Sequence, residues 1–184
     1  MKELSLNILD VAENSVKAGA TLTQISIDET DELLTLKIID DGCGMSEETV
    51  RAVTDPFYTT RTTRKVGLGV PLLKLAAEQT GGSFNITSKS AEQYEKEHGT
   101  VVLASLYKNH LDFTPLGDVV SSITTLIQGH PDTDFLFTHS FSGEEGVRLD
   151  TRQLREVLGD VSLSEYDVIK WIEEYLKEQY EQFG

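Results

Sequence analysis

Cysteine is nearly missing from this chain. Cys43 stands alone among 184 residues, so no internal disulfide forms, and a reducing compartment is implied. Basic residues are scarce too: 16 Lys and Arg against 31 Asp and Glu leave a net charge of −15. That balance argues against nucleic acid as a partner, because phosphate binding needs clustered Lys and Arg. The apolar stretches fall far short of the roughly 20 residues that span a bilayer. The N-terminal MKELSLNILDVAENS carries acids through its apolar part and has no small-residue cleavage site, unlike a signal peptide. A cytoplasmic protein with no membrane or nucleic-acid partner is the expectation. Two common nucleotide-binding signatures are also absent. No G-x-x-x-x-G-K-S/T occurs, and no strand runs directly into a G-x-G-x-x-G.

What is present suits a soluble globular chain with a real core, 39% hydrophobic and 26% charged. The charge is uneven. Residues 1–108 hold 16 acids and 11 bases, whereas residues 109–184 hold 15 acids and 5 bases. Composition shifts at the same place, where NHLDFTPLGD reads as a connector. The spacing therefore predicts a domain over 1–107 and an acidic α/β extension over 108–184.

Leu4, Ile8, Val11, Ala12, Ser15 and Val16 fall on one side of an amphipathic helix. Asp10, Glu13, Asn14 and Lys17 cluster on the other. By itself this is a solvated face, but the mid-helix asparagine is a mediocre helix former placed among charges. A neutral carbonyl oxygen beside a carboxylate suits Mg²⁺, which prefers oxygen and retains water. Gly19 then supplies a C-terminal cap. TLTQISID and ELLTLKIID alternate as the strands of a hairpin, and the second runs into DDGCGM (40–45). Asp41 at this strand end, followed by Gly42 and Gly44, is placed to accept from the exocyclic amine of adenine. Alone, the same residues also suit a plain glycine-rich turn.

Ser46 caps a short helix that stops at Asp55-Pro56. FYTTRTTRKV follows, a polar stretch with Arg61, Arg64 and Lys65 that reads as a lid or a solvated loop. Gly67-Leu68-Gly69 then precedes the helix VPLLKLAAEQT, whose free N–H groups suit an anion. Two strands follow, SFNITS and GTVVLASL. Helices with one apolar face among alternating strands predict a two-layer α/β sandwich, a mixed sheet with helices on one face. In the last third, a helix (LGDVVSSITTLIQ), a hairpin (DFLFTHSFSG, GVRLD) and a short helix (LDTRQLREVLG) precede a final helix. Ser164 and Asp167 suggest a capping box for it. Its stripe of Val168, Trp171, Ile172, Tyr175, Leu176 and Phe183 reads as core.

Four segments in order, DVAENSVKAGAT, DDGCGM, VGLGV and HGT (98–100), resemble the GHKL ATPase family of gyrase B subunits, heat-shock chaperone ATPases, sensor histidine kinases and MutL. ENSVKAGAT is similar to the MutL N box. Lys17, PFYTTR and the glycine series look closer to histidine-kinase catalytic domains. The resemblance covers residues 1 to about 107. It implies a Bergerat fold that binds Mg²⁺-ATP, with Asn14 on the metal and Asp41, Gly42 and Gly44 on adenine. Lys17 and Arg61 would approach phosphate, Gly67, Leu68 and Gly69 would form the turn that cradles it, and Thr100 would lie beside the adenine-binding aspartate. Asp10 stands where the ATPase members carry a glutamate base, with Glu13 next to Asn14, so these two are the candidate catalytic residues and hydrolysis is expected to be slow. The four histidines lie outside any phosphoacceptor context, so transfer to a separate protein partner is expected. A slow ATPase clamp that closes as a homodimer, or a non-catalytic ATP sensor, are the alternatives.

Overall fold

The computed structural model describes residues 3–55 and 68–183. In chain order the elements are α1 (Leu4–Lys17), β1 (Leu22–Glu29), β2 (Leu33–Asp40), α2 (Glu47–Thr54), α3 (Gly69–Gln79), β3 (Ser83–Lys89) and β4 (Gly99–Tyr107). They continue with α4 (Val119–Gly129), β5 (Asp134–Phe141), β6 (Glu144–Asp150), α5 (Thr151–Leu158) and α6 (Tyr166–Phe183).

Local chemistry accounts for most boundaries. Gly19 takes φ +78, which turns the chain out of α1 into β1. The Ser46 hydroxyl accepts from the Thr49 N–H at 3.2 Å, with Glu47 and Glu48 in the first turn of α2. Asp118 caps α4 through the Ser121 N–H, and Asp150 caps α5 through the Arg152 N–H. The capping box expected before α6 is out of place, since the helix begins at Tyr166, two residues past Ser164, whose hydroxyl pairs with that of Ser162 at 2.8 Å.

Among the described residues, six strands join one mixed sheet in the order β3-β4-β2-β1-β5-β6. Neighbours are antiparallel except β1 and β5, which run parallel. A parallel neighbour cannot be reached by a hairpin. The segment containing α4 carries the chain from β4 across β2 and β1 to β5. The two-residue period then sorts the side chains. Ile25, Ile27, Leu34, Leu36, Ile38, Val102, Ala104, Leu106, Phe135 and Phe137 are buried on one face. That face carries the helices: α1 lies against α3 and α4, and α4 against α6. The sandwich with one helical layer is thus the observed architecture. Each large side chain buried there stabilises by ~1.5–3 kcal/mol relative to exposure.

The final helix differs from its reading as a wholly buried stripe. Val168, Ile172 and Leu176 are buried, whereas Trp171, Tyr175 and Phe183 are exposed. A helix on the surface of one layer buries only one side; Trp171 and Tyr175 sit off that side, whereas Phe183 lies on it at the helix end, stacked on Phe141.

Candidate functional site

The helical layer opens over the end of β2, and a pocket lies between α1, α2, the start of α3 and the strands β2, β3 and β4. Val11, Ile38, Val53, Val70, Ile86 and Val102 give it apolar walls. Asn14, Lys17, Asp40, Gly44, Met45 and Thr100 supply polar groups and backbone. A flat apolar ring with a polar edge suits such a space.

Asp40 is central to it. Along β2 the even-numbered residues Leu34, Leu36 and Ile38 face the helices, and Asp40 continues that phase. Its Oδ2 accepts from the Ser15 hydroxyl of α1 at 2.7 Å, and its Oδ1 accepts from the Gly42 N–H at 2.9 Å. Across the ladder it faces Thr100, whose hydroxyl lies 2.8 Å from that of Ser88. Ser88 also accepts from the Met45 N–H at 2.7 Å. The loop after β2 is held by a Cys43 N–H donated to the Ala18 carbonyl and by His98 Nδ1 on the Gly42 carbonyl, 2.5 Å away. Gly44 takes φ +67, and a Cβ there would fall 1.9 Å from the Lys89 carbonyl oxygen, so only glycine fits. Gly42 is buried against Ala18.

Asp41 faces elsewhere. Its carboxylate accepts from the Thr21 N–H at 2.7 Å, the Leu22 N–H at 3.0 Å and the Thr21 hydroxyl. Burial pushes this carboxyl up, but those three donors outweigh it and hold the pKa below the ordinary aspartate value. The group pins the start of β1 and does not line the pocket. Of the two neighbours it is Asp40, not Asp41, that lines the pocket, because a one-residue step along the strand reverses the side chain's direction. Asp40 was legible in principle from the phase of Leu34, Leu36 and Ile38; Ser15, Ser88 and Met45 carried no comparable signal.

Glu13 is also turned away. Its Oε2 meets His130 Nε2, at the C-terminal cap of α4, at 2.7 Å. Asp10 lies outside the pocket lining but packs at the mouth of α3: a Cβ on Gly69 would stand 2.6 Å from the Asp10 Cβ. Gly69 is buried as the first residue of α3, and Leu68 before it is 60% exposed. Arg61 and Gly67 lie outside the described residues, as does most of the FYTTRTTRKV stretch. Among the described residues, no three His, Cys, Asp or Glu side chains gather as a metal-ligand set. The Asn14 side-chain oxygen at the pocket is a hard donor of the kind magnesium takes together with substrate phosphates. Among the described residues no helix is long and apolar enough to cross a membrane.

Comparison with known proteins bears on the fold and the family. Sporulation kinase D of Bacillus subtilis is 31% identical over 106 residues, which is 58% of this chain and 19% of that protein. Sensor protein KdpD of Clostridium acetobutylicum is 29% identical over 96 residues, 50% of this chain and 11% of that one. The chain thus spans less than a fifth of the length of either relative. The Aquifex aeolicus MutL ATPase domain complexed with ADP shares the fold, with a TM-score of 0.53 at 18% identity, over 85% of this chain and 69% of that one. A likeness of that extent includes part of the segment after residue 115. The family model of histidine kinase-, DNA gyrase B- and HSP90-like ATPases matches residues 2–115. With well over half of its length matched, the chain belongs to the histidine kinase-, DNA gyrase B- and HSP90-like ATPase family.

Proposed function

We propose that this chain binds Mg²⁺-ATP in the pocket over β2 and passes the γ-phosphate to a separate protein. The observation that carries the reading is the convergence of Asn14, Lys17, Asp40, Gly44 and Thr100 on one apolar-walled pocket, with the N-terminus of α3 at its edge. Asp40 would accept from the adenine amine. A carboxylate offers about four lone-pair sites, and Ser15 and Gly42 engage two. Thr100 would support that edge of the ring, and Gly42 and Gly44 would let backbone approach it. Asn14 would hold Mg²⁺ together with the phosphates, and the ion would neutralise their charge. Lys17, exposed at the end of α1, and the free N–H groups from Gly69 onward would meet phosphate. Arg61 and Gly67 are proposed for the same phosphate contacts on sequence grounds. Phosphoryl transfer needs mainly such positioning and charge neutralisation. Support for a protein acceptor comes from the names of the two relatives, a sporulation kinase and a sensor protein.

One observation favours a second reading, slow hydrolysis that resets an ATP-driven clamp. Asp10 sits against Gly69, where a carboxylate would address an attacking water. Under either reading residues 1–107 hold the nucleotide, and residues 108–184 form a supporting extension.

Titration calorimetry with Mg²⁺ tests the nucleotide assignment. ATP is expected to bind at least about tenfold tighter than GTP, a difference of ~1.4 kcal/mol. Asp40→Asn should weaken ATP binding by ~1–3 kcal/mol, the range for a lost buried polar partner, and Asp41→Asn should leave affinity unchanged. Equal binding of GTP, or a loss confined to Asp41→Asn, would remove Asp40 from adenine recognition.

A further inference from the structure

Helix α6 covers the core with Val168, Ile172 and Leu176 and leaves an aromatic feature in solvent. Trp171 and Tyr175, one turn apart, are 48% and 37% exposed. Their rings stack at 4.9 Å with 10° between planes. Each side chain orders the other, so a partner meets a flat surface with little entropy left to lose, and Trp and Tyr are the residues that most often anchor interfaces.

The flank of this pair is acidic. By helical spacing Asp167, Glu174, Glu178 and Glu181 lie along one side of it, and all four are exposed. Lys170, three residues from Asp167 and four from Glu174, borders this side and offsets one of the four charges, and Lys177 is paired with Glu173 at 2.6 Å. The surrounding segment, residues 109–184, has 15 acids against 5 bases. A second copy of a chain with net charge −15, an anionic lipid or a nucleic acid would be repelled by such a face. A guanidinium meets both of its halves, stacking on indole or phenol and pairing with carboxylates through its planar fork. We infer that the Trp171–Tyr175 face of α6 is a docking site for a basic protein segment that carries arginine beside apolar side chains. The inference goes beyond the phosphate-transfer reading and stands apart from it, since α6 contributes nothing to the nucleotide pocket.

Trp171 is the only tryptophan in the chain, so its emission reports on this face alone. The full chain, without nucleotide, is titrated with a synthetic amphipathic peptide bearing Arg on one face and Leu on the other. A saturable change in Trp171 emission is expected, weakening as salt rises, and the same peptide with Glu for Arg should give none. Anisotropy of the labelled Arg peptide then compares two charge reversals of equal size. Glu174→Lys with Glu178→Lys should weaken binding at least about tenfold. Glu92→Lys with Glu95→Lys, in the loop after β3 at the opposite edge of the sheet, should change it by less than about twofold. A missing Trp171 signal, or equal weakening by the two pairs, overturns the site, and neither result bears on ATP binding.

Discussion

Asp10 and Glu13 show how little a residue's type says about its task until its neighbours are known. Both carboxylates project from α1 near Asn14, yet Glu13 is taken up by His130, while Asp10 lies against the first residue of α3. Of these two, Asp10 is the one proposed as a base toward a water or acceptor at that helix end. A general base contributes roughly 10²–10⁴-fold, so Asp10→Asn should lower turnover by that order and leave ATP affinity nearly intact. Asp10→Glu, which restores the missing methylene, should speed phosphate release to water. Colorimetric phosphate assays and transfer of label from radiolabelled ATP to host proteins read the two outcomes separately. Turnover that is unchanged in Asp10→Asn would remove this carboxylate from the chemistry.

At the scale of elements, the close approach of α1 and α3 is the contact on which the site depends. Gly69 permits it. A methyl group there would meet the Asp10 Cβ at 2.6 Å, and both atoms belong to helices that cannot yield locally. Gly69→Ala should therefore push α3 away from α1, costing ~1–3 kcal/mol as overpacking does. The same shift should weaken ATP binding, because the N–H groups proposed to meet phosphate move with the helix. Gly129, the last residue of α4, has open space around it, and Gly129→Ala should be neutral or stabilise by up to ~1 kcal/mol. Urea unfolding of the two variants compares them directly. A Gly69→Ala protein as stable as wild type would contradict the close packing. The same helix pair explains a limit on reading the sequence. The apolar stripe of α1 was visible, but which polar residues would face α3 depended on a helix some sixty residues later.

For the whole molecule, the two halves of the chain share one sheet, and a partly buried polar cluster ties them. His139 of β5, 1% exposed, meets Glu29 of β1 at 2.6 Å through Nε2 and the Tyr180 hydroxyl of α6 at 2.7 Å through Nδ1. Lys108 adds an ion pair to Glu29 at 3.2 Å. The hydrogen bond from His139 lowers the Glu29 pKa, burial opposes it, Lys108 reinforces it, and the net pKa lies below its ordinary 4.5. A carboxyl whose folded pKa is depressed stabilises fully above its unfolded pKa and loses that contribution as pH falls through the folded value. Stability should thus hold down to about pH 4.5 and decline below it, with part of the decline absent in Glu29→Gln. Urea midpoints measured across that range check this, and an identical acid limb in the variant would assign the loss to other groups.

Local pattern alone determined the helices and strands, the two-layer class and the family, because periodicity, caps and short glycine motifs act over a few residues. It left the facing of single side chains open. Which of Asp40 and Asp41 faces the pocket turned on the phase of β2, a pattern that the burial of Leu34, Leu36 and Ile38 ties to the helical side. The capture of Glu13 by His130 joins residues 117 apart, and no local signal reports such a contact. The aromatic residues of α6 looked like core because a helix apolar on several sides does not say which side finds a neighbour. The place of β5 beside β1 was likewise decided by the sheet as a whole. A parallel ladder between distant segments is chosen by the burial that both gain, and that gain exists only once the helices have covered the same face.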